Sequence, residues 1–337
     1  MDTKITVVKA DQTVFEGDSG GYYAWSNSAT PLLTHFKLGA GKLLLHPLGF
    51  ALPHYADSSK IGLVLQGTIT VGMVAPNSSE EQVLLIKKGD AVPVLAGWVS
   101  WWFNGGDTDA SIVFLGETTK ALVPGQFTYF FVCGVLGLLA GFQPDFVAKT
   151  FGLDQKESEN LANSQQGALL VKLDDDAPTK FPKTSDHHTK GKLYATIDDP
   201  TGEIVVKGGG FISFLTEKKL GLIGGVGLSA KFVKLEGGAV LAPSFVADGS
   251  IQICYVGMGS GRVKKNMKNV AAEMAANNFT DSDVDEILVI KQLQQQHQQA
   301  LQQKLQQQRR HEEEMRNMKE GIQKQMEDTR REFGRFD

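Results

Sequence analysis

Shifting the sequence by 190 residues lays Pro53 on Pro243, Ile61 on Ile251, Leu63 on Ile253 and Gly67 on Gly257 without a gap. Around these anchors residues 42–67 and 231–257 keep the same order: a β-rich stretch, a glycine turn, an apolar pair before proline, a polar loop, a second β-rich stretch and glycine. A duplication of this length restricts the chain to folds in which one supersecondary unit is built twice. The body is therefore read as a duplicated β-domain.

Glycine (37 residues) is spread between short β-rich runs at residues 5–10, 42–46, 61–66, 68–74, 82–87, 99–103 and 112–115. Such runs, with turn signals between them, point to a sandwich or barrel and not to a parallel α/β sheet. Between the copies the period changes, and Phe146, Val147, Phe151, Leu153 and Leu161 suggest short helices before a turn-rich stretch at 174–190. The boundaries follow as 1–143 for the first β-unit, 144–190 for a helical linker and loop, and 191–263 for a partial second unit.

The second copy is expected to stop at Val263, because Lys264-Lys265 ends the β-pattern and nothing afterwards reproduces residues 83–115. Its last strand, 251–256, would then be an unpaired edge. Residues 264–337 are read as a low-complexity, Gln-rich tail. A helix start is placed at Thr280 or Ser282, and a seam runs through Leu301, Leu305, Met315, Ile322, Met326 and Phe333. A coiled coil and a solvated polar helix are both compatible with that seam, since Gln308, Glu312, Lys319 and Thr329 interrupt it.

The net charge of −4 excludes a global basic field for nucleic acid, and the tail's arginine pairs alternate with glutamates as on a salt-bridged helix. Two cysteines, Cys133 and Cys254, provide neither a disulfide framework nor a four-thiolate zinc site. The opening residues lack the apolar core of a secretory signal, so the expected location is cytoplasmic. Residues 127–142 are uncharged but short for a membrane span and contain three glycines, so a buried strand followed by a short core helix is expected instead.

Gly49, Pro53-His54-Tyr55, the run from Ile61 to Gly67, and Gly89-Asp90 with Pro93, Gly97, Ser100 and Asn104 together resemble the cupin superfamily. The second-copy run Cys254-Tyr255-Val256, with Gly257, Gly259 and Gly261-Arg262-Val263, and the linker from Leu138 to Asp154 are similar to the legumin-like (11S globulin-type) two-cupin proteins of plants. The resemblance covers roughly residues 1–263. It implies an all-β, two-cupin jelly-roll architecture with an incomplete second barrel, followed by a long C-terminal α-helix, and a seed-storage-type nutrient reservoir, or a cytosolic relative of one, without catalysis.

Metal-dependent cupins hold a divalent ion on three histidines and a glutamate, a donor set that suits Mn, Fe, Zn or Cu. In this sequence the resemblance puts His54 at the first place, Ala56 at the second, Lys60 at the glutamate place and Ser100 at the third histidine place. The second copy offers Ser244, Val246 and Ser250. An ammonium has no acceptor lone pair. No metal, no cofactor and no catalytic residue is therefore expected. The alternatives are a barrel that binds a sugar or an apolar small molecule and, more remotely, a metal-dependent oxidase or isomerase. The interior of such a barrel is expected to be lined by Leu63, Leu65, Val92 and Trp102.

His46, His54 and Asp57 could form an improvised site, His187-His188 sits in a lysine-rich loop, and Trp98, Trp101 and Trp102 could stack on a ring. The glycine run from Gly257 to Gly261 lacks the helix that a phosphate loop requires. The expected partner is a second copy, joined through cupin faces or the tail helix, with no nucleic acid and no membrane.

Overall fold

The computed structural model describes residues 8–184, 192–242 and 250–258, together with the backbone of 271–275 and 284–292. The chain divides into two units, residues 1–292 and 293–337. The second unit, and with it the Gln-rich seam, lies outside the described residues, as do His187 and His188.

The first copy begins with β1 (Gln12–Gly17), β2 (Gly20–Ala24), helix α1 (Pro31–Phe36) and β3 (Leu38–Leu45). It continues through β4 (Gly49–Ala56), β5 (Lys60–Gln66), β6 (Thr68–Val74) and β7 (Gln82–Lys87). Next come β8 (Asp90–Val94), β9 (Val99–Phe103), β10 (Ala110–Glu117) and the short β11 (Tyr129–Phe131). Pro31 starts α1 and Lys37 ends it in the left-handed conformation, while Gly67 (φ 73°) takes the tight β5–β6 turn that a side chain would strain.

These strands form two sheets. The first runs β1-β2-β3-β10-β5-β8 and the second β11-β4-β9-β6-β7. Between them Leu43, Leu45, Val64, Ile69, Val71, Val92, Trp102, Ile112 and Phe114 pack as the barrel interior. This is the jelly-roll arrangement, with the apolar faces of two antiparallel sheets closed on each other.

The linker supplies α2 (Pro144–Phe151), α3 (Gln155–Asn163), β12 (Leu170–Lys172) and α4 (Ala177–Lys180). Asp154 caps α3 in a reciprocal box with Glu157. The strand β12 adds to β4, so this stretch also feeds the second sheet. The expected core helix within 127–142 is instead a 3-10 turn, Leu138–Gly141, and Leu136, Leu138 and Phe142 stand exposed beside it. Its residues are apolar, but the segment lies over the outside of the barrel.

The second copy repeats the spacing of several elements of the first. Strands β13 (Ala195–Thr196), which edges the first sheet, and β14 (Ile204–Val206) precede β15 (Gly210–Leu215). Adding 190 to β2 gives 210–214, within β15, and adding it to α1 gives the 3-10 helix Gly221–Val226. The same shift takes β3 to 228–235 in β16 (Leu228–Glu236) and β5 to 250–256 against β17 (Ile251–Met258).

The β-structure does not stop at Val263. β18 (Ala271–Ala275) and β19 (Val284–Gln292) follow. β19 pairs antiparallel with both β16 and β17, and β18 pairs with the other side of β17. Residues 251–256 are thus an interior strand and not an edge; Thr280 and Ser282 lie outside the described residues, and the helix expected to follow them is a strand from Val284. The run Val284-Asp-Glu-Ile-Leu-Val-Ile-Lys-Gln292 has the β-branched content of a strand, which its acidic pair obscured. The third sheet, β14-β15-β16-β19-β17-β18, has the order of the first sheet, β19 taking the part of β10. The correspondence ends at β18, which lies parallel to β17 where β8 is antiparallel to β5. Among the described residues the second copy shows no counterpart of the second sheet.

One face of the third sheet packs on the outer face of the first. Phe211, Leu215, Leu228, Ala230, Phe232, Ile253 and Tyr255 meet Trp25, Leu33, Leu38, Ile61, Leu63, Val113 and Leu115 in one core. Leu63 and Leu65 therefore turn away from the barrel interior, contrary to expectation. The strand β5 is buried on both faces over most of its length, so no alternation marks its inward phase.

Candidate functional site

The inward phase of β5 is Lys60, Gly62 and Val64. A Cβ on Gly62 would come within 2.8 Å of Ile112 and Phe114. This glycine leaves room for the interior side chains that surround the Lys60 stem. Lys60 enters the barrel almost completely covered, at 2% exposure.

A cavity of about 40 Å³ lies beside it, lined by Lys60, His54, Ser100, Trp102, Tyr22 and Tyr129 among others. Three of the four places that a cupin metal site would use thus converge on one cavity: His54 and Ser100 pair across β4 and β9, and Lys60 reaches in from β5. The fourth, Ala56, is buried on β4 and does not line the cavity. The donor set does not fit a divalent cation. His54 Nδ1 is 2.7 Å from the Leu52 carbonyl, which can only accept, so the proton sits on Nδ1 and Nε2 alone keeps a lone pair. Ser100 Oγ accepts a 3.2 Å bond from Trp102 Nε1, and the remaining place carries an amine.

The lysine is housed by aromatic rings. Nζ lies 4.2 Å from the Tyr129 ring centroid, 5.0 Å from Phe127 and 5.4 Å from Phe114, and it donates to Tyr129 Oη at 3.2 Å. Ring faces offset part of the cost of burying the charge. Tyr129 Oη is in turn 2.6 Å from Tyr22 Oη. Gly41 makes that contact possible, since a Cβ there would overlap the Tyr22 hydroxyl.

Burial pushes the Lys60 amine down to about 7, with the Asp57 carboxylate opposing the shift in part. Burial, reinforced by the Lys60 charge, lowers His54 to about 4, so the imidazole is neutral at neutral pH. Both tyrosines are raised by burial and stay protonated. Burial alone would raise Asp57. The backbone N–H groups of Leu122 and Thr128 and the Ser58 hydroxyl outweigh it and hold the carboxyl below its ordinary range.

His46, His54 and Asp57 are not brought together. His46 Nδ1 faces Asp109 at 2.8 Å, and Asp57 is used by loop N–H groups. Among the described residues no three His, Cys, Asp or Glu side chains gather as a metal site. Trp102 lies inside the barrel, whereas Trp101 packs on the opposite face of the second sheet against Phe50 and Phe181. Tyr22 and Tyr129 were absent from the sequence-based site. The only signal for Tyr129 is its place in the aromatic run FTYFF, which identifies a buried strand but not its partners. Among the described residues no helix is long and apolar enough to cross a membrane.

The Cupin family model matches residues 7–159. Among curated proteins, the 12S seed storage protein CRD of Arabidopsis thaliana is 21% identical, the match covering 77% of this chain and 69% of that protein. Glutelin type-D 1 of Oryza sativa subsp. japonica is also 21% identical, over 66% of this chain and 60% of its own length. Among solved structures, procruciferin, an 11S globulin from Brassica napus, superimposes with a TM-score of 0.72 at 17% identity, covering 86% of this chain and 84% of that one. An 11S globulin from Wrightia tinctoria, for which an auxin binding site is described, gives 0.65 at 15% identity, covering 86% and 84%. Residues 7–159 are thus a cupin domain, and the chain has the legumin-like fold of the 11S globulins.

Proposed function

We propose that this protein is a non-catalytic, legumin-like nutrient reservoir of the seed-storage type. The observation that carries the reading is the fold shared with an 11S globulin over 86% of the chain, in a barrel whose metal places hold Ala56, Lys60 and Ser100. Accumulation to a major share of protein in maturing seed, with loss on germination, is the expected behaviour. A constant trace level in vegetative tissue would overturn it.

Purified protein is expected to carry less than about a tenth of an equivalent of Mn, Fe, Zn or Cu, since one imidazole nitrogen is not a competent donor set for these ions. Elemental analysis checks this, and His54→Ala should leave the result unchanged. Near-stoichiometric metal that disappears in that variant would restore the oxidase or isomerase reading. A second reading, a small-molecule binder, is favoured by the cavity itself; saturable micromolar binding of a sugar or aromatic compound, lost on a cavity substitution, would promote it.

The partner of this reading is a second copy of the chain. Leu138, Phe142, Phe146, Phe151 and Leu161 are exposed on the linker turn and helices α2 and α3, and the rings of Phe142 and Phe146 lie 5.3 Å apart. Apolar side chains grouped this way suit an interface between copies. Light scattering should show an oligomer that Phe146→Lys with Phe151→Lys converts toward monomer. An unchanged mass would rule out this surface.

A further inference from the structure

The barrel interior assembles a nucleophile that a storage role does not use. Among the described residues Lys60 is the one amine lining the cavity and forms no ion pair. Its hydrogen-bond partner, Tyr129, is itself bonded to Tyr22, so two hydroxyls stand in series behind the nitrogen. The rim includes His54, Tyr129 and Leu169, which remain partly exposed, while Leu43, Ala51, Trp102 and Phe114 make the inner wall apolar.

We propose that Lys60 is a carbonyl-reactive amine that captures small aldehydes in the barrel cavity as imines, with the Tyr129–Tyr22 hydroxyl pair relaying the protons. The Nζ lone pair forms the new C–N bond while the carbonyl π electrons move to oxygen, which takes a proton from the Tyr129 hydroxyl. A nitrogen proton returns to the tyrosine, giving the carbinolamine. Loss of the hydroxyl with a second nitrogen proton, as water, leaves the C=N bond. No electron donor or acceptor is required, and the step is reversible. A space of about 40 Å³ accommodates a few water-sized groups, which limits the ligand to short-chain aldehydes.

The electrostatics agree with this geometry. The four titratable groups around the amine are Asp57, His54, Tyr22 and Tyr129. Only Asp57 carries charge at neutral pH, and it does not restore the amine to its ordinary range. A substantial share of Lys60 is therefore uncharged at pH 7, whereas a lysine with the ordinary value of about 10.4 is almost wholly ammonium there. Aldehyde capture by Lys60 is independent of whether the protein serves as a reserve.

The test is reductive trapping of the full-length chain. Protein at pH 7 is incubated with acetaldehyde and sodium cyanoborohydride, and alkylated lysines are mapped by peptide mass spectrometry over time. Lys60 is expected to be modified about tenfold or more faster than exposed lysines, despite being covered. The advantage should narrow as pH rises toward about 10.4, the ordinary value at which half of the exposed amines are neutral. Tyr129→Phe should slow Lys60 labelling about tenfold, without affecting the exposed lysines. Lys60→Met, with its fold checked by circular dichroism, should remove the fast phase and no other. Lys60 labelled no faster than exposed lysines, or not at all in folded wild-type protein, would overturn the proposal. So would a Tyr129→Phe rate equal to wild type.

Discussion

Lys60→Met is expected to stabilise the protein by about 3–5 kcal/mol at pH 6, and to remove a pH dependence that the wild type shows above neutrality. The amine has its ordinary value of 10.5 in the unfolded chain and about 7 in the folded one. Below pH 7 it is charged in both states, and the folded state bears the full desolvation cost. Between about 7 and 10.5 the unfolded chain binds more protons, so wild-type stability rises with pH across that window. The bond to Tyr129 and the three ring contacts offset part of the cost, which is why the lower end of the range is included. Methionine has a similar length and no charge, so it fills the same channel among Phe114, Phe127 and Tyr129. Urea unfolding at pH 6, 7.5 and 9 measures both proteins. Curves separated by a constant amount at all three values would mean that the Lys60 charge is not what the fold resists.

On the acid side the same chemistry predicts a slope of the same sign from His54. Its folded value near 4 lies below its ordinary 6.5, so stability from the neutral ring is complete above 6.5 and is lost as pH falls toward 4. A buried amine and a buried imidazole in one cavity therefore bring the stability maximum toward weakly alkaline pH.

Much of this architecture was legible in the residues, for a definite reason. A duplication preserves spacing even where most identities are gone, and the 190-residue shift anchored on Pro53, Ile61, Leu63 and Gly67 also relates β2, α1, β3 and β5 to their second-copy equivalents. Even the left-handed residues correspond: Gly20 with Gly210, and Lys37 with Gly227. The pattern failed where the second copy departs from that spacing. β19 takes the place of β10 but begins at Val284, not at residue 300, so no shift finds it. The degenerate metal places were legible one by one, and His54, Lys60 and Ser100 do share a cavity. The aromatic housing was not, because Tyr22, Phe114 and the pair Phe127 and Tyr129 come from separate stretches of the chain and only pairing brings them together.

The phase of β5 shows what a single strand can hide. Alternation identifies a face only when one side is wet, and most of β5 is covered on both. Leu63 therefore read as barrel lining, although it packs with Phe232, Ile253 and Tyr255 of the second copy. Leu63→Asp separates the two assignments. At 3% exposure the carboxylate would face an apolar core, with a cost of at least about 4 kcal/mol unless the sheets part. Leu85→Asp, at a position 55% exposed, should change stability by less than about 0.5 kcal/mol. The two outcomes also differ in where the chain opens. In wild type the third sheet has its apolar face covered by the first, and should resist limited proteolysis as long as the barrel does. In Leu63→Asp the sheets lose their shared core while the barrel interior of Val64, Trp102 and Phe114 is untouched. Cleavage should then begin within residues 197–258 and leave a resistant fragment containing residues 12–117. If the barrel fragment is instead digested first, Leu63 supports the interior and the docking of the two copies rests on other residues.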